Sequence, residues 1–378
     1  MKMIVFFTRG ISLDLWLRKG LFDREKLIYE EHLLKGHFNK IYWITYGSRD
    51  EILANKLKEE KRLNELIKVL PMPKIFNIPK IGTMIYSFLI PFFYINIFKN
   101  ITILKTNQMN GSIPAILVKL IYNKPLILRT GYTRSIFLKK QNKNFITKFF
   151  TYLLEQMAYK IANVAIVASE NDKNYICSRY RIDKNKINVL YNFIDTNKFK
   201  NLEQKRNNKF IFVGRLSEQK NLFNIIDAIS KTNFELDIYG SGELKNQIDL
   251  FIKTKKANVH LKGEIANCEL PFILNKYKYY ILASFYEGMP KTLLEAMACG
   301  CICVGTDVEG INEVIKDKVN GLTIKDVNAE SIYDTLKNLE RSSINIENIS
   351  LNAESIIQEK FSLKKIVSQE YNLILGSL

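Results

Sequence analysis

Short runs of β-branched and aromatic residues recur along this 378-residue chain, each followed by a stretch with helical spacing. In the first half they fall at residues 2–7, 40–46, 101–106, 125–129 and 164–168. In the second half they fall at 210–213, 235–239, 258–261, 279–283 and 301–305. Many are nearly continuous apolar runs, the pattern of strands buried on both faces. Strand and helix alternating through both halves predict an α/β chain of two doubly wound parallel-sheet domains. Residues 187–199 read as a strand running out into a turn-rich loop, and polar residues 200–209 follow. The domain boundary is therefore expected near residue 195, giving domains 1–195 and 196–354. A helical tail, about 355–378, is expected to pack back on the first domain. The Asn- and Ser-rich pieces 142–144 and 342–350 read as loops or helix starts.

Three further features refine this picture. The opening apolar run meets Arg9 and Gly10 after a few residues, so it reads as a first strand and not a signal peptide. Segment 81–98 is the longest apolar stretch but holds Gly82, Pro91 and Asn96. It is marginal for a bilayer span and reads as a buried helix. The five cysteines form no even framework, which fits a reducing compartment. Cys299, Cys301 and Cys303 have no histidine near them in sequence, since the three are His32, His37 and His260. They read as small core residues, and no metal site is expected.

Charge is unevenly distributed. Residues 1–195 hold 32 Lys+Arg and 15 Asp+Glu, whereas residues 196–378 hold 24 and 23. No acidic residue occurs between Glu65 and Glu155. An anionic partner for the first half follows: a nucleic acid, a phospholipid surface or a phosphorylated substrate. Residues 137–154 interleave lysines with aromatics, as a helix on an anionic membrane would; a core-facing helix with a basic rim has the same pattern.

The densest chemistry lies between Phe285 and Gly300, where Glu287 and Glu295 stand eight residues apart in an otherwise apolar segment. Residues 279–283 are a strand, 284–288 its C-terminal turn, Pro290 suits the first turn of a helix, and Gly300 ends that helix. Glu287 thus sits before the helix and Glu295 inside it. Both can face the crevice at the carboxyl ends of the strands. The helix start between them suits phosphate oxygens. The carboxylates would accept hydrogen bonds from hydroxyls on either side, the layout of a nucleoside diphosphate sugar.

This Glu-x7-Glu in a strand–loop–helix resembles the donor signature of retaining nucleotide-sugar glycosyltransferases, family 4 in particular. Other segments resemble the family in sequence order. They are Gly214-Arg215-Leu216 with Lys220-Asn221, the loop Gly240-Ser241-Gly242-Glu243, strand 258–263, segment 304–313 and the interdomain stretch 189–195. The resemblance implies the GT-B architecture, two Rossmann-like domains facing each other across a cleft that closes on the donor. It implies that Arg215 and Lys220 bind the donor diphosphate and that Glu295 binds the ribose. Glu287 would hold the transferred sugar, near the backbone of Gly288, Met289, Pro290 and Lys291. Gly214, Gly240, Gly242 and Leu261 complete the donor site, and Gly10 lets the N-terminal loop approach the diphosphate. Glu287, Arg215 and Lys220 would carry catalysis, with no cofactor and no metal.

Departures from the family pattern fall on the acceptor side. Thr130 stands where many members have His, and one glycine, Gly10, stands where many have two. Arg129, Tyr132 and Arg134 become candidates for gripping an anionic acceptor. Ile302 and Asn312 replace the family's usual prolines. The expected partners are a nucleotide sugar (UDP-sugar before GDP-sugar), a glycan or lipid-linked acceptor, and an anionic membrane surface. No nucleic acid is expected, and the place of action is the cytoplasmic face of the membrane. Two other classes stay open: a nucleic-acid-binding protein using the basic half, and a non-catalytic glycosyltransferase-like partner.

Overall fold

The computed structural model describes residues 1–79, 81–140, 144–341 and 345–378. It divides into two compact units, Met1–Leu190 with Ile366–Leu378, and Tyr191–Lys365. The first holds seven parallel strands: β1 (Lys2–Phe6), β2 (Lys40–Ile44), β3 (Ile67–Leu70), β4 (Ile103–Thr106), β5 (Leu126–Arg129), β6 (Val164–Val167) and β7 (Ile187–Val189). Their order is β3-β2-β1-β4-β5-β6-β7. The second unit holds β8 (Asn207–Val213), β9 (Leu236–Tyr239), β10 (Val259–Gly263), β11 (Tyr277–Leu282), β12 (Ile302–Thr306) and β13 (Leu322–Ile324). Their order is β10-β9-β8-β11-β12-β13, again all parallel. Each sheet starts at its centre, winds to one edge and returns. The strand order therefore reverses between β1 and β4 and between β8 and β11, the places where open α/β sheets leave a ligand crevice.

The continuous apolar runs explain the burial. Met3 to Phe6 and all of β12 are buried, with helices on both sides of the sheets. In the first unit Trp43 is fully buried among Phe7, Trp16 and Tyr29, with ring centroids 5.5–5.8 Å away. Each such side chain contributes about 1.5–3 kcal/mol of transfer free energy. Strands β3 and β13 are four and three residues long and lie at sheet edges, too short for the sequence pattern to mark.

The structure corrects several expectations. Residues 355–365 stay with the second unit: Ile194 N–H donates to Phe361 O (2.8 Å), Leu363 N–H donates to Ile194 O (2.9 Å), and Tyr191 packs on Phe361. Segment 81–98 is not a buried helix. It forms Gly82–Phe93 and Ile95–Lys99, which bury one side and leave apolar side chains exposed on the other. Residues 137–154 belong to two helices, Arg134–Lys140 and Phe145–Ile161, and the part of that reading on 141–143 lies outside the described residues. So do the readings on residues 142, 143 and 342–344; the neighbouring Asn144 and Asn345 cap helix starts. Cys299, Cys301 and Cys303 are buried free thiols, and burial pushes Cys301 up to about 12.

Candidate active site

The loops that follow β8 and β11 meet where the second sheet reverses its order. Asn221 joins them. It adopts a left-handed backbone (φ 55°), and its side-chain amide donates to Ala283 O (2.9 Å) and Val327 O (2.7 Å). Gln219 adds two bonds: its side chain donates to Tyr286 O (2.8 Å), and its carbonyl accepts from Phe285 N–H (2.9 Å). Held this way, the loops bring Lys220 and Glu287 together. Lys220 Nζ lies 2.5 Å from Glu287 Oε1, and Ser284 Oγ donates to the same oxygen at 2.7 Å. Glu287 Oε2 accepts no hydrogen bond from the described residues.

Glycines allow these loops to lie flush. Gly240 has φ 143°, and a Cβ there would stand 1.8 Å from Gly214 O. At Gly242 it would stand 2.2 Å from Leu216 O. Leu216 N–H donates to Ser241 O (2.9 Å), so the loop after β9 lies on the backbone of the Arg215 loop. Arg215 itself is exposed and has no ion-pair partner among the described residues. Gly310 has φ 82°, and a Cβ there would meet Gly288 O at 1.7 Å.

Glu295 is 3% exposed, inside helix Lys291–Ala298. Its neighbourhood overlaps that of Glu287. Burial raises the pKa of Tyr280 far above its ordinary value, and the charges of both glutamates raise it further. The helix start carries no side-chain cap. Pro290 is the N-cap residue and not part of the first turn, because its backbone is extended (ψ 107°). Met289 is buried, and its carbonyl accepts from Asn192 Nδ2 (3.0 Å); Lys291 Nζ lies 5.2 Å over the Phe193 ring. Leu261 is half-buried on the edge strand β10, two strands from the reversal.

The remaining candidates lie in the first unit. Gly10 follows β1 with φ 81° and open space around its Cβ position, so conformation and not crowding favours glycine there. Tyr132 is 41% exposed, Arg134 donates to Asn110 Oδ1, and Thr130 is buried within 3.3 Å of the Tyr159 hydroxyl. Arg129 is largely buried and its Nη1 faces Glu370 Oε1 at 3.7 Å. It belongs to a buried charge cluster that sequence reading missed. Glu370 Oε2 accepts from Lys105 Nζ (2.7 Å) and contacts His32 Nε2 (3.0 Å). Burial alone would raise the Glu370 pKa, but Lys105, His32 and Arg129 hold it well below the ordinary carboxylate range.

Sequence reading gave no role to Ser284, Gln219 or Asn221, although Asn221 stands in the family-like Lys220-Asn221 segment. Ser284 left a local signal, a hydroxyl three residues before a glutamate, as in a capping box. Among the described residues, Glu235, Asp237 and His260 have metal-ligand spacing. Lys209 already pairs with Glu235, and Lys262 Nζ lies 3.4 Å from Asp237, so the group reads as a salt-bridge ladder across neighbouring strands.

A paired cation and carboxylate, an exposed arginine and an uncapped helix start thus lie at a switch point. Residues 193–355 match the family Glycosyl transferases group 1, and residues 38–198 match Glycosyltransferase Family 4. The chain belongs to the family 4 glycosyltransferases. A glycosyltransferase of Methanocaldococcus jannaschii with no described activity is 28% identical over 341 residues, 83% of this chain and 82% of that one. A Campylobacter jejuni protein is 31% identical over 243 residues, 60% of this chain and 63% of its own length. It is named N-acetylgalactosamine-N,N'-diacetylbacillosaminyl-diphospho-undecaprenol 4-alpha-N-acetylgalactosaminyltransferase. The crystal structure of Anabaena HepE in complex with UDP matches this glycosyltransferase with a TM-score of 0.75 and 17% identity, over 100% of both chains. The fold is GT-B.

Proposed function

We propose that this glycosyltransferase moves a sugar, with retention of anomeric configuration, from a UDP-sugar to a lipid-linked glycan in bacterial surface polysaccharide assembly. A GDP-sugar is the second candidate donor. The observation that carries the reading is the Lys220–Glu287 pair beside the uncapped start of helix Lys291–Ala298. The donor diphosphate would meet that helix start with Arg215 and Lys220, and Glu295 would accept from the ribose hydroxyls. Glu287 Oε2 would accept from a hydroxyl of the transferred sugar. As the bond from the anomeric carbon to the diphosphate oxygen breaks, negative charge builds on the diphosphate, and the fixed cations stabilise it. The acceptor oxygen bonds to the same face of the anomeric carbon, and its proton passes to the departing phosphate oxygen. With the charge met by Arg215, Lys220 and the helix start, transfer is expected to need no metal and to survive chelator.

The Campylobacter relative's diphospho-undecaprenol acceptor and the UDP bound by Anabaena HepE support the acceptor and donor classes. With such an acceptor the enzyme would work at the inner face of the cytoplasmic membrane. The test is transfer from a panel of UDP-sugars and GDP-mannose to a polyprenyl-diphosphate-linked N-acetylhexosamine. Proton couplings at the new anomeric centre read the configuration. One UDP-sugar giving an α-linked product from an α-linked donor supports the reading. Inversion, or donor use by GDP-mannose alone, refutes the corresponding part.

A further inference from the structure

The helix layer over one face of the first sheet has an apolar outside. Helix Ser112–Tyr122 packs against both Gly82–Phe93 and Phe145–Ile161, and Tyr122 OH donates to Pro91 O (2.8 Å). On the first of these neighbours, Ile81, Met84, Ile85, Phe88, Leu89 and Phe92 are exposed, a stripe at helical spacing. On the other, Phe145, Ile146, Phe149, Phe150, Leu153 and Met157 form a second stripe, with Phe145 79% and Phe150 64% exposed. Leu120 and Ile121 lie on the helix between them. With Phe93 and Ile95, these are sixteen of the thirty large apolar side chains exposed among the described residues, so the patch is concentrated on one layer. Water-facing monomer surfaces rarely gather apolar side chains this way.

Charge decides what covers it. Residues 66–154 contain thirteen Lys+Arg and no Asp or Glu. The next acid, Glu155, is fully buried, where it accepts from Tyr180 OH and Ser135 N–H. The cations rim the apolar area. Lys99, Lys119, Lys124 and Lys160 stand at the helix C-terminal ends, where Lys124 Nζ reaches Lys99 O (2.9 Å). At the opposite end Lys148 and Arg179 edge a cavity of about 380 Å³ walled by Phe145, Phe149 and Tyr152, with Arg179 stacked 4.9 Å over the Tyr152 ring. An apolar centre, a lysine rim and no acid within residues 66–154 match the boundary between acyl chains and anionic headgroups. A protein partner would have to be both apolar and strongly acidic. Among the described residues no helix is long and apolar enough to cross a membrane.

We propose that this three-helix face seats on an anionic phospholipid bilayer, with Lys148 and Arg179 at a lipid headgroup phosphate. The inference deepens the lipid-linked acceptor reading and rests on it for its purpose, since docking here keeps the enzyme where such an acceptor resides.

The test is sedimentation of the full chain with vesicles, either phosphatidylglycerol with phosphatidylethanolamine or phosphatidylcholine alone. The wild type should bind the anionic vesicles about tenfold or more tighter than the neutral ones. Phe88→Ser with Phe92→Ser, and Ile146→Ser with Phe150→Ser, should each lose about tenfold or more. These exposed positions leave the fold intact, and UDP binding should not change. Phe92→Trp should have its fluorescence quenched by brominated lipid. Variants that bind vesicles as well as the wild type would overturn the proposal, as would a wild type that ignores anionic vesicles. So would a wild-type dimer that the serine variants dissociate, because the face would then be a contact between copies. Vesicle binding without UDP binding would refute the donor reading and leave this one standing. UDP binding without vesicle binding would do the reverse.

Discussion

Lys220 Nζ stands 2.5 Å from Glu287 Oε1, two groups separated by 67 positions of sequence. In the proposed reaction the pair would join the two functions of a donor site, the cation serving the leaving diphosphate and the carboxylate the sugar. Lys220→Ala should lower transfer by about 10²–10³-fold, the usual effect of removing a group that stabilises developing charge. Glu287→Ala should leave affinity for free UDP unchanged while transfer collapses. In a double-mutant cycle on stability the two should couple by about 0.5–3 kcal/mol, because both are largely buried. Additive effects would show that the pair does not hold the loops.

Gly240→Ala forces a methyl group into Gly214 O and penalises a backbone at φ 143°. A loss of about 1–3 kcal/mol in urea unfolding is expected, together with weaker UDP binding, because the Arg215 loop must move. Gly263 is the control: it has φ 81° but open space around it, so Gly263→Asn should be tolerated. Equal effects at the two positions would contradict the close-approach explanation.

Of the five cysteines only Cys268 is exposed. Burial raises the thiol pKa of Cys177, Cys299, Cys301 and Cys303, which removes the reactive thiolate. Ellman's reagent should therefore label one thiol rapidly in the folded protein, and Cys268→Ser should abolish that phase. Two or more fast thiols would contradict the burial of the other four.

The Glu370 cluster predicts how the first unit responds to acid. Both tryptophans, Trp16 and Trp43, lie in that unit, so their fluorescence reports its unfolding. Burial lowers the pKa of His32 below its ordinary 6.5 despite the pull of Glu370. The unfolded chain then takes up a proton below pH 6.5 that the folded one does not, and stability falls with pH. Glu370, held below its ordinary 4.5, adds stability that is complete above that pH and lost as pH drops beneath it. The urea midpoint should therefore fall in two steps on acidification. Glu370→Gln should remove the lower step and cost about 3–5 kcal/mol at neutral pH, by leaving Lys105 buried without its partner. A flat profile from pH 7 to 4 would contradict this.

The sequence made the sheets legible because both are buried on two faces, which gives continuous apolar runs such as residues 2–7 and 279–283. The edge strands Ile67–Leu70 and Leu322–Ile324 were not legible, since three or four residues with one wet side carry little pattern. The segments of the proposed donor site were recognisable through their order and their likeness to a family. Its Lys220–Glu287 contact was not, and neither was the cluster joining Glu370 to His32 across 338 positions, because spacing says nothing about such contacts. Helix Gly82–Phe93 was misread for a different reason. A helix apolar on all sides reads as core, and only the fold reveals that one of those sides faces outward.

The most direct test of the account is calorimetric titration of UDP into the wild type, Glu295→Ala and Glu295→Gln, with an oligonucleotide as control ligand. Wild type that binds UDP but not the oligonucleotide, with both variants weaker by about tenfold or more, is the predicted result for a carboxylate on the ribose. Equal UDP affinity in all three proteins would remove Glu295 from the donor site. Binding of the oligonucleotide alone would mean that the basic half, and not the β8–β11 crevice, is the working surface.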